Sequence, residues 1–121
     1  MGISSYKDLL VWQKSFEVGM DLYKKLHDLP KYELYALGDQ MRRCIISISS
    51  NIAEGHARSS SKEFIHFLSI SRGSIAELQT QILFAIELNY FEKEYGDEII
   101  GKLNGIDIMI SNLIKKLKLK I

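Results

Sequence analysis

The chain has 121 residues, 46% hydrophobic and 26% charged, with a net charge of +1. That is one domain's worth of chain with enough apolar content to bury a core, which excludes disorder and gives no general argument for a polyanion partner. The lone cysteine, Cys44, excludes an internal disulfide and fits a reducing cytoplasm. No apolar block follows a basic start, so no signal peptide is predicted. The longest charge-free window, Cys44 to Ala53, is too short to cross a bilayer.

Four amphipathic helices are predicted, at about 5–29, 39–55, 61–89 and 97–119. In the first, Leu9, Trp12, Phe16, Met20, Tyr23 and Leu26 recur at spacings of three and four and are read as the buried stripe, with Leu10 and Val11 off it. Ser5 is a candidate N-cap, and Pro30 stops the helix because the residue before proline is pushed out of the α region. In the second, Leu37, Met41, Cys44, Ile45, Ile48 and Ile52 form the stripe and Gly55 is read as a C-terminal stop. Ile46-Ser47-Ile48-Ser49 also alternates like a strand, but the wider window keeps helical spacing.

Ser60 and Glu63 fit a capping box ahead of the third helix. Its face is Phe64, Phe67, Leu68, Ser71, Ile75, Leu78, Ile82, Ala85 and Leu88, with Gly73 read as a close helix–helix contact. After a break ending at Gly96, Ile99, Leu103, Ile106, Ile110, Leu113 and Leu117 make a heptad seam. Short joints between four such helices predict one all-α domain, an antiparallel up-down-up-down four-helix bundle. Ile100, Ile108, Ile114 and Ile121 lie off the last seam, a second stripe that points to self-association.

The densest polar patterning lies between Gln40 and Gln79. Folding helices two and three into a hairpin that closes near Arg58 brings Asn51 toward His66, Arg43 toward Glu77 and Glu54 toward Lys62. An unpaired polar group beside an apolar stripe costs a few kcal/mol, so Arg43, Asn51, Glu54, His66 and Glu77 are expected to form a polar network with an Arg43–Glu77 ion pair. The same groups equally read as fixing the register of the hairpin.

Glu63 and His66 have the Glu-x-x-His spacing of di-iron bundles, but that site needs two such motifs and two further glutamates, so no metal is predicted. No serine, histidine and acid fall at a diagnostic spacing, and no Gly-x-x-x-x-Gly-Lys loop occurs. Neither an enzyme nor a cofactor is expected. A helix-turn-helix reading around Asn51 to Phe64 lacks a basic recognition face.

Four segments together are similar to the four-helix-bundle proteins encoded by 23S rRNA intervening sequences. They are Tyr6-Lys-Asp-Leu-Leu-Val-Trp-Gln, Gln40-Met-Arg-Arg, Ser47-Ile-Ser-Ser-Asn-Ile-Ala-Glu-Gly55 and Phe67-Leu-Ser-Ile-Ser-Arg-Gly-Ser-Ile-Ala-Glu77. The likeness spans almost the whole chain; Gly38-Asp39 departs from it, where the family usually places a Thr or Ser cap. What the resemblance implies is a cytoplasmic bacterial bundle that assembles as a homopentamer, with no established activity. A related branch, the accessory proteins of diversity-generating retroelements, is similar in fold and works with nucleic acid; it is strongly basic, whereas this chain is nearly neutral.

Residues 115–121 carry four lysines and no acid, leaving 12 basic against 15 acidic residues elsewhere. Lys115, Lys116, Lys118 and Lys120 are therefore the candidate nucleic-acid contacts. Five copies would gather about 20 positive charges, enough for counterion release to matter. The expectation is a non-enzymatic oligomeric scaffold associated with RNA or ribonucleoprotein. The competing expectation is a purely structural oligomer whose lysines suit the negative end of a helix dipole.

Overall fold

The structure, a computed structural model, describes residues 5–121. It is an all-α bundle of four long helices, α1 (Leu10–Lys25), α3 (Leu37–Ala57), α4 (Ser61–Glu87) and α5 (Lys93–Lys118), with a one-turn helix α2 (Lys31–Leu34) and no strand among the described residues. Each long helix packs on two others: α1 on α3 and α5, and α4 on α3 and α5. Contacts fix the directions. Ser71 meets Ile48 while Gly55 meets Phe64, so α3 and α4 are antiparallel. Arg72 meets Asp107 while Ile86 meets Gly96, so α4 and α5 are too.

The core is built from Met41, Cys44, Ile45, Ile48 and Ile52 on α3, Leu68, Ile75, Leu78, Ile82 and Ala85 on α4, and Ile99, Leu103, Ile106, Ile110, Ile114 and Leu117 on α5. On α3 and α4 these follow the expected stripes, although Leu88 is half-exposed. On α5 the seam continues through Ile114 instead of Leu113, which is only partly buried.

On α1 the expected face holds at Leu26, and partly at Leu9 and Trp12, but fails between them. Val11, Ser15, Val18 and Leu22 are buried, followed by Leu26 and Leu29, while Phe16, Met20 and Tyr23 are 49%, 42% and 40% exposed. Both sets have helical spacing. The smaller, branched set fits the narrow gap against α3, where Gly19 lies against Ile45.

The helix ends also differ from expectation. Ser5 does accept a hydrogen bond from the backbone N–H of Lys7, but it caps a single 3-10 turn, Tyr6–Asp8; the chain is extended at Leu9 and α1 begins at Leu10. Ser60 accepts from the N–H of Glu63 at 3.1 Å, while the Glu63 carboxylate turns to Arg58.

Gly55 and Gly96 do not stop helices. Each lies inside one, and a Cβ on Gly55 would sit 2.8 Å from Phe64 and 2.9 Å from Phe67. A Cβ on Gly96 would collide with Ile86. Gly73, expected to be such a contact, has open space around it. The left-handed residue that turns the chain between α4 and α5 is Asn89, φ 62°, an amide side chain that tolerates this region better than most.

Candidate functional site

The α3–α4 seam carries the polar residues singled out in the sequence, but with other partners. The buried Ser71 hydroxyl donates 2.8 Å to the carbonyl of Ile48 on the facing helix. The Ser47 and Ser74 hydroxyls share a hydrogen bond of 2.8 Å across the same seam. Asn51 turns back along its own helix and donates to both the carbonyl and the hydroxyl of Ser47, at 2.8 and 3.0 Å. An Asn51–Ser47–Ser74 chain thus links α3 to α4.

The other expected contacts are not made. His66 is exposed, its ring edge-on to Phe67 of its own helix. Glu54 pairs with Arg58, one turn on, at 2.9 Å instead of reaching Lys62. Arg43 and Glu77 both stay exposed and enter no ion pair among the described residues. Antiparallel register brought their backbones to one level; solvation of two long charged side chains then outweighs a surface pairing worth ~0–1 kcal/mol.

Instead Arg43 and Glu77 line a cleft of about 910 Å³ with Gln40, Cys44, Ser47 and Ser74. Cys44 is 5% exposed. Burial, reinforced by the Glu77 carboxylate, pushes its thiol pKa up, so it is a poor nucleophile. Among the described residues no group of three or more His, Cys, Asp and Glu could hold a metal ion.

Two further surfaces lie away from that seam, and only the second was legible in the sequence. Phe16, Met20 and Tyr23 of α1 join Ile46 of α3, itself 53% exposed, around an apolar recess of about 310 Å³. Trp12 stacks on Phe16 at 5.1 Å along the same flank. The periodicity of these residues was visible in the sequence; their exposure was not, because a second, smaller apolar stripe competes for the core.

At the far end of α5, Lys115, Lys116, Lys118 and Lys120 are all exposed, and none enters an ion pair among the described residues. Ile114 just before them and Leu117 among them are buried, 8% exposed each, so this lysine segment is an integral end of the bundle.

The model of the 23S rRNA-intervening sequence protein family matches residues 7–112. The chain belongs to that family. A crystal structure at 1.70 Å of a protein of unknown function from the S23 ribosomal protein family, from Bacteroides thetaiotaomicron, is similar with a TM-score of 0.78 and 26% identity, covering 88% of this chain and 99% of that one. No curated protein matches. The matched residues include all those that line the α3–α4 cleft. The lysines lie past the last matched residue. No helix among the described residues is long and apolar enough to cross a membrane.

Proposed function

We propose that this protein is a non-enzymatic, self-associating scaffold of the cytoplasm that binds RNA through the lysine-bearing end of α5. The observation that carries the reading is the set of four exposed lysines within one and a half turns, none committed to an ion pair among the described residues. Such a segment contributes to binding by releasing counterions condensed on phosphates. The family description supports RNA as the polyanion. The exposed Phe16, Met20, Tyr23 and Ile46 supply a flank on which copies associate, and a homopentamer would repeat the lysine segment five times. The purely structural alternative rests on Lys115, Lys116 and Lys118 lying in the last turn of α5, where cations suit the helix dipole.

The test is RNA affinity as a function of salt for the native chain and for Lys115→Gln/Lys116→Gln/Lys118→Gln/Lys120→Gln. Truncation after Leu113 would be uninformative, because it removes Ile114 and Leu117 from the core. Native protein should bind with a steep salt dependence, and the variant's log–log slope should be shallower by about three for single-stranded RNA. Unchanged affinity in the variant, or no binding by the native chain, overturns the RNA reading. In parallel, Phe16→Glu should lower the mass in solution while the helix content stays native.

A further inference from the structure

The two ends of the bundle differ in charge. One end gathers the start of α1, the α3–α4 joint and the end of α5. Its segments 5–8, 54–66 and 111–121 hold seven basic side chains against three acidic ones. The other gathers α2, the end of α1 and the α4–α5 joint: Tyr90 donates 2.8 Å to Glu33, and Tyr95 donates 3.0 Å to Asp21. Its segments 21–39 and 84–98 hold nine acidic side chains against four basic ones.

Helix dipoles do not account for this segregation. In antiparallel neighbours each end presents both N-termini and C-termini, so dipole matching alone places both signs at both ends. Glu87 sits in the last turn of α4 and Lys62 in the first, each on the side its own helix dipole disfavours.

We propose that the acidic end is a docking site for the basic end of a second copy, so that bundles stack head to tail. The shapes agree with the charges. At the acidic end lies a hollow of about 480 Å³ lined by Ile86, Tyr90 and Phe91, where Asp28, Glu87 and Glu92 outnumber Lys25 and Lys93. The segment that would enter it alternates lysines with Leu119 and Ile121, which are 87% and 73% exposed. A contact between two different surfaces forms a ring only when its rotation closes, and joining opposite ends of the bundle generates an open stack instead. This surface is separate from the α1–α3 flank, and RNA and a neighbouring acidic end compete for the same lysines.

Sedimentation velocity on nucleic-acid-free protein across a salt series tests this. At low salt the mass should rise with concentration to multiples of the high-salt particle, because charge attraction is screened as salt increases. Lys116→Glu/Lys118→Glu cancels the excess positive charge of the basic end and Glu87→Lys/Glu92→Lys removes nearly all the negative excess of the acidic end; each alone should stay at the high-salt mass. Mixed in equal amounts they should recover a species of twice the high-salt mass, because each keeps one native end. Lys14→Glu/Lys102→Glu, with the first variant's net charge but changed on exposed flank positions, should stack like the native chain. A salt-independent native mass, end variants that stack alone, a mixture that does not recover, or a flank variant that fails to stack each overturns the proposal. None of these outcomes touches RNA affinity, which is read separately.

Discussion

Helix α3 has two neighbours, and it is held to them differently. Toward α4, apolar packing is combined with hydrogen bonds that cross the seam: Ser71 to Ile48, and Ser47 to Ser74. Toward α1 the contact is apolar, and the buried Ser15 hydroxyl donates 2.7 Å to Val11 of its own helix. A crossing hydrogen bond adds only ~1 kcal/mol, but slipping the register would strand buried hydroxyls at ~1–3 kcal/mol each. Polar groups therefore specify one alignment of α3 with α4. The α1 seam is specified by shape, through Gly19 against Ile45, which leaves the large side chains of α1 facing outward.

The largest difference between the seams is expected at their glycines. Gly55→Ala should cost about 2 kcal/mol, because the new methyl meets the Cβ of Phe67 and the backbone of Phe64, which cannot turn aside. Gly19→Ala should change stability by less than about 0.5 kcal/mol, since Ile45 can shift a methyl group and alanine favours the helix. Urea unfolding with unchanged m-values reads both, and equal losses would break the comparison.

The serines come next. Ser71→Ala should cost about 1 kcal/mol, whereas Ser15→Ala should be near neutral, because its hydrogen bond stays within one helix and alanine is the better helix former. A loss at Ser15 as large as at Ser71 would show that α1 is also held by polar specificity.

The smallest effect concerns the tie from α1 to α5. Burial first, then the hydrogen bond to Asp21, raises the Tyr95 phenol pKa above its ordinary value. A raised folded pKa makes a contribution that is complete below the unfolded pKa of about 10 and is lost as pH rises above it. Tyr95→Phe should therefore cost about 0.5–1 kcal/mol at neutral pH, with the deficit shrinking above pH ~10. A deficit that stays constant across pH would mean that the hydroxyl adds nothing beyond packing.

The four long helices are legible in the sequence because apolar spacing repeats over several turns in each. The hairpin register of α3 and α4 is legible too, and it carries Ser47 to Ser74 and Ser71 to Ile48. Pairing long charged residues by that register fails for Arg43 and Glu77, since backbone level does not fix where flexible side chains end. The short serines, whose hydroxyls are held within the seam, are the groups that pair. The buried face of α1 was misread because Phe16, Met20 and Tyr23 outweigh Val11, Val18 and Leu22 in hydrophobic size, while the gap to α3 admits the smaller set. Gly55 and Gly96 were misread for a related reason: a glycine in sequence signals either a turn or a close approach, and only the facing Phe64, Phe67 and Ile86 decide which.

The Cys44 thiol lies under the α3–α4 cleft, and it is the sole sulfhydryl in the chain. At 5% exposure it is largely shielded from an alkylating reagent until the two helices part. When parting and reclosing are fast relative to alkylation, the reaction rate divided by that of the unfolded chain gives the population of the open state directly. The native sequence thus carries its own clock for the breathing of its best-specified seam, with no probe to engineer and no neighbouring thiol to confuse the count.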